Sequence, residues 1–327
     1  MVGKEVAECL NRFLQDIMQN DLPFGGKVVC FSGDFKQLLP VEPGRKYPAT
    51  VKDCEWWSQC QQFRFTKNWR AAANPEFCEF LERVGNGSLL QVPVPAASRV
   101  IDIAELISRV YGNDMIAVSS TRNLIMAFTL ETCNEINAAC IAQVPGEAFE
   151  AQAFDDTRDN RQPELYTDEF LASLPLHGVP PSNLKLKVGA RYMIIKNYNP
   201  STGACNGTLC ELLSFTRHLC QVRVQSGIHA GRIICLPRCS CHVSRENSGL
   251  PFEFSRTQFP LILAYSVSVH KSQGQSLEKI GIVIDHESFA HGQVYTALSR
   301  CSGWGNICVL THNNEDYIMN KIHLHCL

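Results

Sequence analysis

The residues of this 327-residue sequence best suited to chemistry are two arginines, one glutamine and two polar turns that carry glycine. Arg70 closes the segment FTKNWR, and Arg300 closes YTALSR on an amphipathic stretch. A fixed guanidinium offers a planar, bidentate grip on a phosphate. Gly33, Asp34 and Gln37 lie in GDFKQLLP, directly after the apolar run 27–32. In open α/β sheets ligands sit beyond the carboxyl ends of strands, so these residues are placed to sense a bound group. The segment KSQGQS (271–276) likewise follows an apolar run that ends at Val269. There Gly274 permits close backbone approach, beside Gln275, and His270 and Lys271 supply donors for phosphate. Taken singly, each feature has a plainer reading. The two segments are polar turns, and a lone arginine is most often a solvated surface residue.

The elements that must position these residues follow from periodicity. Residues 4–20 predict a helix, with Val6, Cys9, Leu10, Phe13, Leu14 and Ile17 on one face. Asp21, Pro23 and Gly25-Gly26 end it, and 27–32 then predicts a short buried strand of the parallel type. Asn74-Pro75 reads as a cap with proline at the first helical position, and Gly85 as the stop. Residues 116–119 are a candidate strand, 130–141 a helix, and the polar, acidic stretch 152–169 a loop. Four strand-like runs, 191–195, 209–215, 219–224 and 232–236, predict a small β-barrel inserted in an α/β body. Then come a buried strand over 261–269, a strand over 280–284, a helix over 293–300 and a last strand over 307–310.

Composition bounds the rest. The length suits two domains or one with an insertion, and 45% hydrophobic with 19% charged residues is ordinary for a folded protein. A formal charge of -2 excludes a basic coat over the whole chain. From Lys185 to Leu250, however, nine Lys/Arg face only Glu211 and Glu246, whereas 145–184 holds eight acids against Arg158 and Arg161. This asymmetry fits a local polyanion contact, or simply two solvated surfaces. The 16 cysteines are scattered, which reads as reduced thiols in an intracellular compartment. Cys235, Cys239, Cys241 and His242 lack zinc-knuckle spacing and read as strand thiols, with no metal site. No apolar run approaches the ~20 residues of a membrane span.

Together the segments are more specific than any one of them. PFGGKVVCFSGDFKQLLPV, FTKNWR, PPSNLKLKVGARYMIIKNYNPSTGACNGT, FPLILAYSVSVHKSQGQSLEKIGI and HGQVYTALSRC occur in that order. They resemble motif III, motif IV, the lead into an inserted barrel, motif V and motif VI of the Pif family (petite integration frequency) of superfamily 1 DNA helicases. Several are similar to its Helitron-transposon branch. The resemblance implies RecA-like parallel sheets. Residues 1–68 would be the remainder of a first RecA-like domain, and 69–184 the first part of a second. Residues 185–256 would be the basic inserted β-barrel, and 257–327 the last part of the second domain. It also implies ATP hydrolysis coupled to 5′-to-3′ movement on single-stranded DNA, in DNA repair, recombination and telomere maintenance, in the nucleus or the mitochondrion. Gln37 would sense the γ-phosphate. Arg70 and Arg300 would be arginine fingers. Gly33, Asp34, Gly274 and Gln275 would lie at the nucleotide. His270, Lys271, Lys185, Lys187, Arg191 and Lys196 would lie along the DNA.

The departures matter as much. No G-x-x-x-x-G-K-[ST] occurs in the sequence, and the family's DE pair is not found ahead of the first helix. ATP and Mg²⁺ belong to the full-length family member, and tight binding to this chain alone is not expected. The apolar run 124–128 has no counterpart in the family pattern. Two readings therefore stand: the motor part of a helicase whose N-terminal segment is missing, or a catalytically dead, transposon-derived DNA-binding remnant. An α/β interaction protein with chance matches is the third, and five ordered blocks weigh against it.

Overall fold

Asn74 shows how local chemistry sets an element here. Its side chain accepts from the Phe77 amide at 3.1 Å, Pro75 fills the first helical position, and the helix runs Pro75–Gly85 as predicted. The structure, a computed structural model, describes residues 2–39, 49–112, 122–157, 166–174, 176, 178–284 and 290–327. In chain order its first elements are α1 (Lys4–Met18), α2 (Pro75–Gly85), β1 (Gln91–Pro93), α3 (Ile103–Tyr111), β2 (Asn123–Ala127) and α4 (Leu130–Gln143). Next come β3 (Phe149–Gln152), β4 (Phe154–Thr157), α5 (Asp168–Ser173), β5 (Asn183–Leu186), β6 (Arg191–Ile194), β7 (Leu209–Phe215), β8 (Leu219–Val224) and β9 (Ile233–Pro237). The last are β10 (Cys239–Val243), α6 (Arg245–Ser248), β11 (Phe254–Gln258), β12 (Leu261–Leu263), β13 (Ser266–Ser268), β14 (Lys279–Ile284), α7 (Gln293–Leu298), β15 (Ile307–Thr311) and β16 (Tyr317–Met319).

By packing, the chain forms two units. The first holds Met1–Asp102, Met126–Phe128 and Ser272–Leu327, and the second Ile103–Ile125 and Thr129–Lys271. This grouping does not follow the boundaries at 68, 184 and 256.

In the first unit β14 and β15 pair in parallel, Ile280 against Ile307 through Ile284 against Thr311, which makes the fold α/β. β1 and β16 pair antiparallel. The division of the chain falls within β2. The apolar run 124–128 that fitted no family pattern is a sheet strand, with Leu124 to Ala127 fully buried.

One expectation fails in the first unit. Residues 27–32 form no strand, and Val28 is 101% exposed. A buried parallel strand exists only where neighbours bond it on its edges, and no described strand lies beside it. The apolar face of α1 is also turned outward. Val6, Leu10, Phe13 and Ile17 are exposed, and only Ala7 is buried. Helical periodicity identifies an apolar stripe but not what covers it. On the inner side Ala7 packs with Phe24, Val51, Cys54 and Trp56, against which Leu14, Val29 and Phe31 also rest.

The second unit is mostly antiparallel. β12-β6-β7-β8-β9 form a five-stranded sheet, β10-β11-β4 a three-stranded one and β3-β5 a pair. The four runs expected to build a barrel are all strands, and among the described residues no pairing joins β12 to β9. Residues 154–157, read as loop, are strand β4. Their acidic character misled, because Asp155 is buried and accepts bidentately from Arg256, at 2.8 Å from Nε and 2.6 Å from Nη2. The single strand expected over 261–269 is broken into β12 and β13. Between them the Ala264 amide turns to the Arg191 carbonyl and the Tyr265 amide to Asn137 Oδ1, so the chain leaves one sheet for another. Cys235 lies on β9 and Cys239, Cys241 and His242 on β10, as expected of strand residues. All 16 cysteines are free. Among the described residues no helix is long and apolar enough to cross a membrane. The candidate strand 116–119 lies outside the described residues.

Candidate functional site

The GDFK turn is organised by Asp34. Its Oδ1 accepts from the Lys36 amide at 3.1 Å, and its Oδ2 from Gln37 Nε2 at 3.1 Å and from the Tyr295 hydroxyl at 3.2 Å. A carboxylate with three donors holds both the turn and the angle of the Gln37 side chain. The turn is bound to α7 and its lead-in by further bonds. The Leu38 amide donates to Thr296 Oγ1 at 2.8 Å, the Leu38 carbonyl accepts from Gln273 Nε2 at 2.9 Å, and the Phe35 carbonyl accepts from His291 Nε2 at 2.7 Å. His291 Nδ1 accepts the His323 amide at 2.8 Å, which puts the ring proton on Nε2. Burial pushes the His291 pKa down, the Phe35 carbonyl opposes this, and His325 adds to the fall. Gly292 sits at φ +69, where a Cβ would stand 2.3 Å from the Lys36 carbonyl oxygen, so close approach here requires glycine.

The two arginines meet at the other end of α7. Arg300 is 1% exposed. Its Nε donates to the Thr296 carbonyl at 2.9 Å, its Nη2 to Ser299 Oγ at 2.8 Å and its Nη1 to the Gln275 carbonyl at 3.5 Å. Arg70 donates from Nη1 to the Ser299 carbonyl at 2.7 Å, and from Nη2 and Nε to Ser276 Oγ at 2.9 and 3.1 Å. Burial pushes the Arg300 guanidinium down to about 10, and repulsion from Arg70 adds to it, while Tyr295 and Asp34 act the other way. Among the described residues neither arginine forms an ion pair with a carboxylate. Two like charges drawn together, one of them desolvated, make a place that an anion would relieve. The Gln275 amide closes a turn on the Ser272 carbonyl at 3.1 Å, and Gly274 at its tip, φ +80, has open space where a Cβ would be.

The structure thus brings Asp34, Gln37, Arg70, Gln275 and Arg300 into one network within the first unit. Gly33 is exposed beside it. Sequence reasoning missed Tyr295, Thr296, Ser276, Ser299, Gln273 and His291. All six lie inside the quoted segments, but nothing in their types signals that their bonds close on Asp34, Leu38, Phe35 and the arginines.

The residues assigned to DNA lie in the second unit and divide by burial. Lys185 on β5 and His270 are exposed, and Lys196 is half-buried with Nζ on the Ser240 carbonyl at 2.8 Å. Lys271 is half-buried. Lys187 and Arg191 do not fit that role. Lys187 is buried with Nζ 3.2 Å from the Ile141 carbonyl. Arg191 is fully buried, donates to the Asn123 carbonyl, and has its pKa lowered by burial. Arg191 opens β6, which is buried throughout, and Lys187 lies between β5 and β6, placements that residue type does not reveal.

A phosphate fits the paired guanidinium groups. Among the described residues no three His, Cys, Asp or Glu side chains converge as metal ligands.

A family described as "PIF1-like helicase" matches residues 1–93, and "DNA helicase Pif1, 2B domain" matches residues 169–215. The chain is 30% identical over 324 residues to the ATP-dependent DNA helicase PIF1 of Homo sapiens, covering 95% of this chain and 44% of that protein. It therefore spans less than half the length of that curated relative. Its fold is similar to the crystal structure of Pif1 helicase from Candida albicans, with TM-score 0.69, 25% identity, and coverage of 98% of this chain and 72% of that one. It is also similar in fold to Pif1 helicase from Bacteroides in complex with ADP-AlF3 and ssDNA, with TM-score 0.65, 24% identity, and coverage of 94% and 68%.

Proposed function

The chain belongs to the Pif1-like helicase family, and from that premise we propose that it is the part of an ATP-dependent DNA helicase motor that contributes Gln37, Arg70 and Arg300 to ATP hydrolysis. The observation that carries this reading is the buried Arg300 beside Arg70 with no carboxylate paired to either among the described residues. Their guanidinium groups stabilise charge on a transferring phosphoryl group. Gln37, held by Asp34, orients toward the γ-phosphate. ATP supplies the reacting phosphoryl group.

Single-stranded DNA is the polymer substrate, as named for the Bacteroides relative. Lys185, Lys196, His270 and Lys271 meet its backbone by charge rather than by base reading. In this reading 1–68 belongs to the first motor lobe, 69–184 and 257–327 to the second, and 185–256 is its insert. Movement 5′ to 3′, a place in repair, recombination and telomere maintenance, and nuclear or mitochondrial residence complete it.

The test is to join the chain to the part of the human relative outside the match and to measure ATP hydrolysis with and without single-stranded DNA. DNA-stimulated turnover is expected, falling by roughly 10³-fold or more with Arg70→Ala or Arg300→Ala. The chain alone is expected to show negligible turnover. Rates within twofold of wild type for both variants would overturn the assignment. A second reading, a DNA-binding remnant without hydrolysis, is favoured by the lack of G-x-x-x-x-G-K-[ST] in the sequence. It prevails if the joined protein binds single-stranded DNA but never turns over ATP.

A further inference from the structure

Strand β3 leaves one edge unused, and its pairing shows which groups that edge offers. The Ala153 amide donates to the Ser182 carbonyl at 2.7 Å, in step with Ala151 opposite Leu184 and Phe149 opposite Leu186. Bonded positions alternate in an antiparallel pair, so Phe149 and Ala151 turn their main-chain groups toward β5 and Glu150 and Gln152 turn theirs away. Among the described residues β5 is the one strand paired with β3. The outward Gln152 carbonyl accepts from Arg238 Nη1 at 2.6 Å. The Glu150 N–H and C=O and the Gln152 N–H have no partner among the described residues.

An open groove of about 480 Å³ runs along this edge, lined by residues 149–152, residues 215–217 and Arg238. Its apolar part is Phe149 beside Phe215, with ring centroids 5.3 Å apart and Phe149 47% exposed. Its charged part is Arg217, which is exposed, and Arg238, which is half-buried. Arg238 Nε donates to the Arg217 carbonyl at 3.0 Å, and Nη1 also donates to Gln258 Oε1 at 3.1 Å. Burial lowers the Arg238 pKa, Cys220 opposes this, and Arg217 adds to the fall. Among the described residues no carboxylate pairs with either arginine. Glu150, the acid that lines the groove, stands opposite Lys185 in the register of β3 and β5, so a cation other than the two arginines neighbours it.

We propose that this groove docks an extended acidic segment of a partner protein, which adds a strand to the β3 edge, seats an apolar side chain on Phe149 and Phe215, and sets carboxylates on Arg217 and Arg238. The open edge selects the class of partner. A peptide strand brings alternating N–H and C=O groups at the spacing such an edge needs, which a nucleic-acid backbone does not. The two unmatched guanidinium groups select its charge. All of these residues belong to the second unit, and none belongs to the arginine network at α7.

The probe is a fluorescein-labelled heptapeptide of alternating aspartate and isoleucine, titrated with the chain and followed by anisotropy. A peptide with lysine in place of aspartate is the control. The aspartate peptide is expected to bind and to slow exchange of the outward Glu150 and Gln152 amides, while the Ala151 amide, already paired to β5, is unchanged. Arg217→Glu and Phe149→Ser are each expected to weaken binding at least about tenfold. The Arg217 side chain is exposed and makes no bond among the described residues, so that variant keeps the fold. No binding up to about 1 mM peptide would overturn the proposal, as would equal binding of the lysine peptide or affinity within about twofold after Arg217→Glu. Binding without slowed exchange at Glu150 and Gln152 would also overturn it. So would displacement of the peptide by single-stranded DNA that is itself lost with Arg217→Glu, since nucleic acid would then be the occupant.

Discussion

Arg70 and Ser299, 229 residues apart, are joined by a 2.7 Å bond from Nη1 to the carbonyl oxygen, and the hydroxyl of that serine receives Arg300 at 2.8 Å. One serine therefore positions both guanidinium groups. The bond places an exposed arginine against a buried one, at the cost of their mutual repulsion. That arrangement suits a ligand better than it suits the fold.

If so, Arg300 contributes little to stability. Arg300→Met keeps most of the volume and removes a desolvated cation, so its unfolding free energy should lie within about 1 kcal/mol of wild type. Urea unfolding of the chain alone measures this. A loss above about 3 kcal/mol would make Arg300 a structural residue.

Gly292 and Gly274 form a matched pair. Both have positive φ, but a Cβ at 292 would meet the Lys36 carbonyl oxygen at 2.3 Å, whereas at 274 nothing lies within 4 Å. Gly274→Ala should cost about 1 kcal/mol for its backbone conformation, and Gly292→Ala clearly more, at least about 3 kcal/mol. Thermal unfolding of the two variants side by side decides it. Equal losses would mean that the GDFK turn does not press on the start of α7.

His291 predicts a pH dependence. Its folded pKa lies below the ordinary 6.5 because of burial, so the unfolded chain takes up the proton first. The contribution is intact above about pH 6.5 and is lost as pH falls toward the folded value. Protonation also removes the Nδ1 lone pair that accepts the His323 amide. His291→Gln should flatten the fall in melting temperature between about pH 6.5 and 5. An unchanged slope would place the acid sensitivity elsewhere.

Lys185 and Arg191 should separate DNA contact from packing. Lys185 is exposed, and Lys185→Ala should lower the salt slope of single-stranded DNA affinity by about 0.7, the value for one phosphate contact. Arg191 is buried on the Asn123 carbonyl, and Arg191→Ala should instead destabilise the fold by about 2–4 kcal/mol. Fluorescence anisotropy across a salt series and thermal unfolding measure the two. The reverse pattern would return Arg191 to the DNA path.

Local signals were legible wherever neighbouring residues carry them. The Asn74 cap, the helix over residues 130–141, and the strands from 191 to 236 are set by side chains a few positions apart, and the structure has all of them. The two arginines were legible as a pair only through their segments. Their common serine was not, because no periodicity links residue 70 to residue 299.

By itself the sequence determined which segments are apolar, where helices begin and end, and which family pattern the chain carries. Those depend on short-range sterics, capping and burial preference, which each segment holds within itself. Only the tertiary structure decided that 27–32 is unpaired, that 124–128 is a sheet strand, that Asp155 and Arg191 are buried, and that Arg70 lies against Ser299. Strand pairing, burial of charge and the meeting of distant side chains each need a partner far along the chain, and a residue's type does not say which partner it will find.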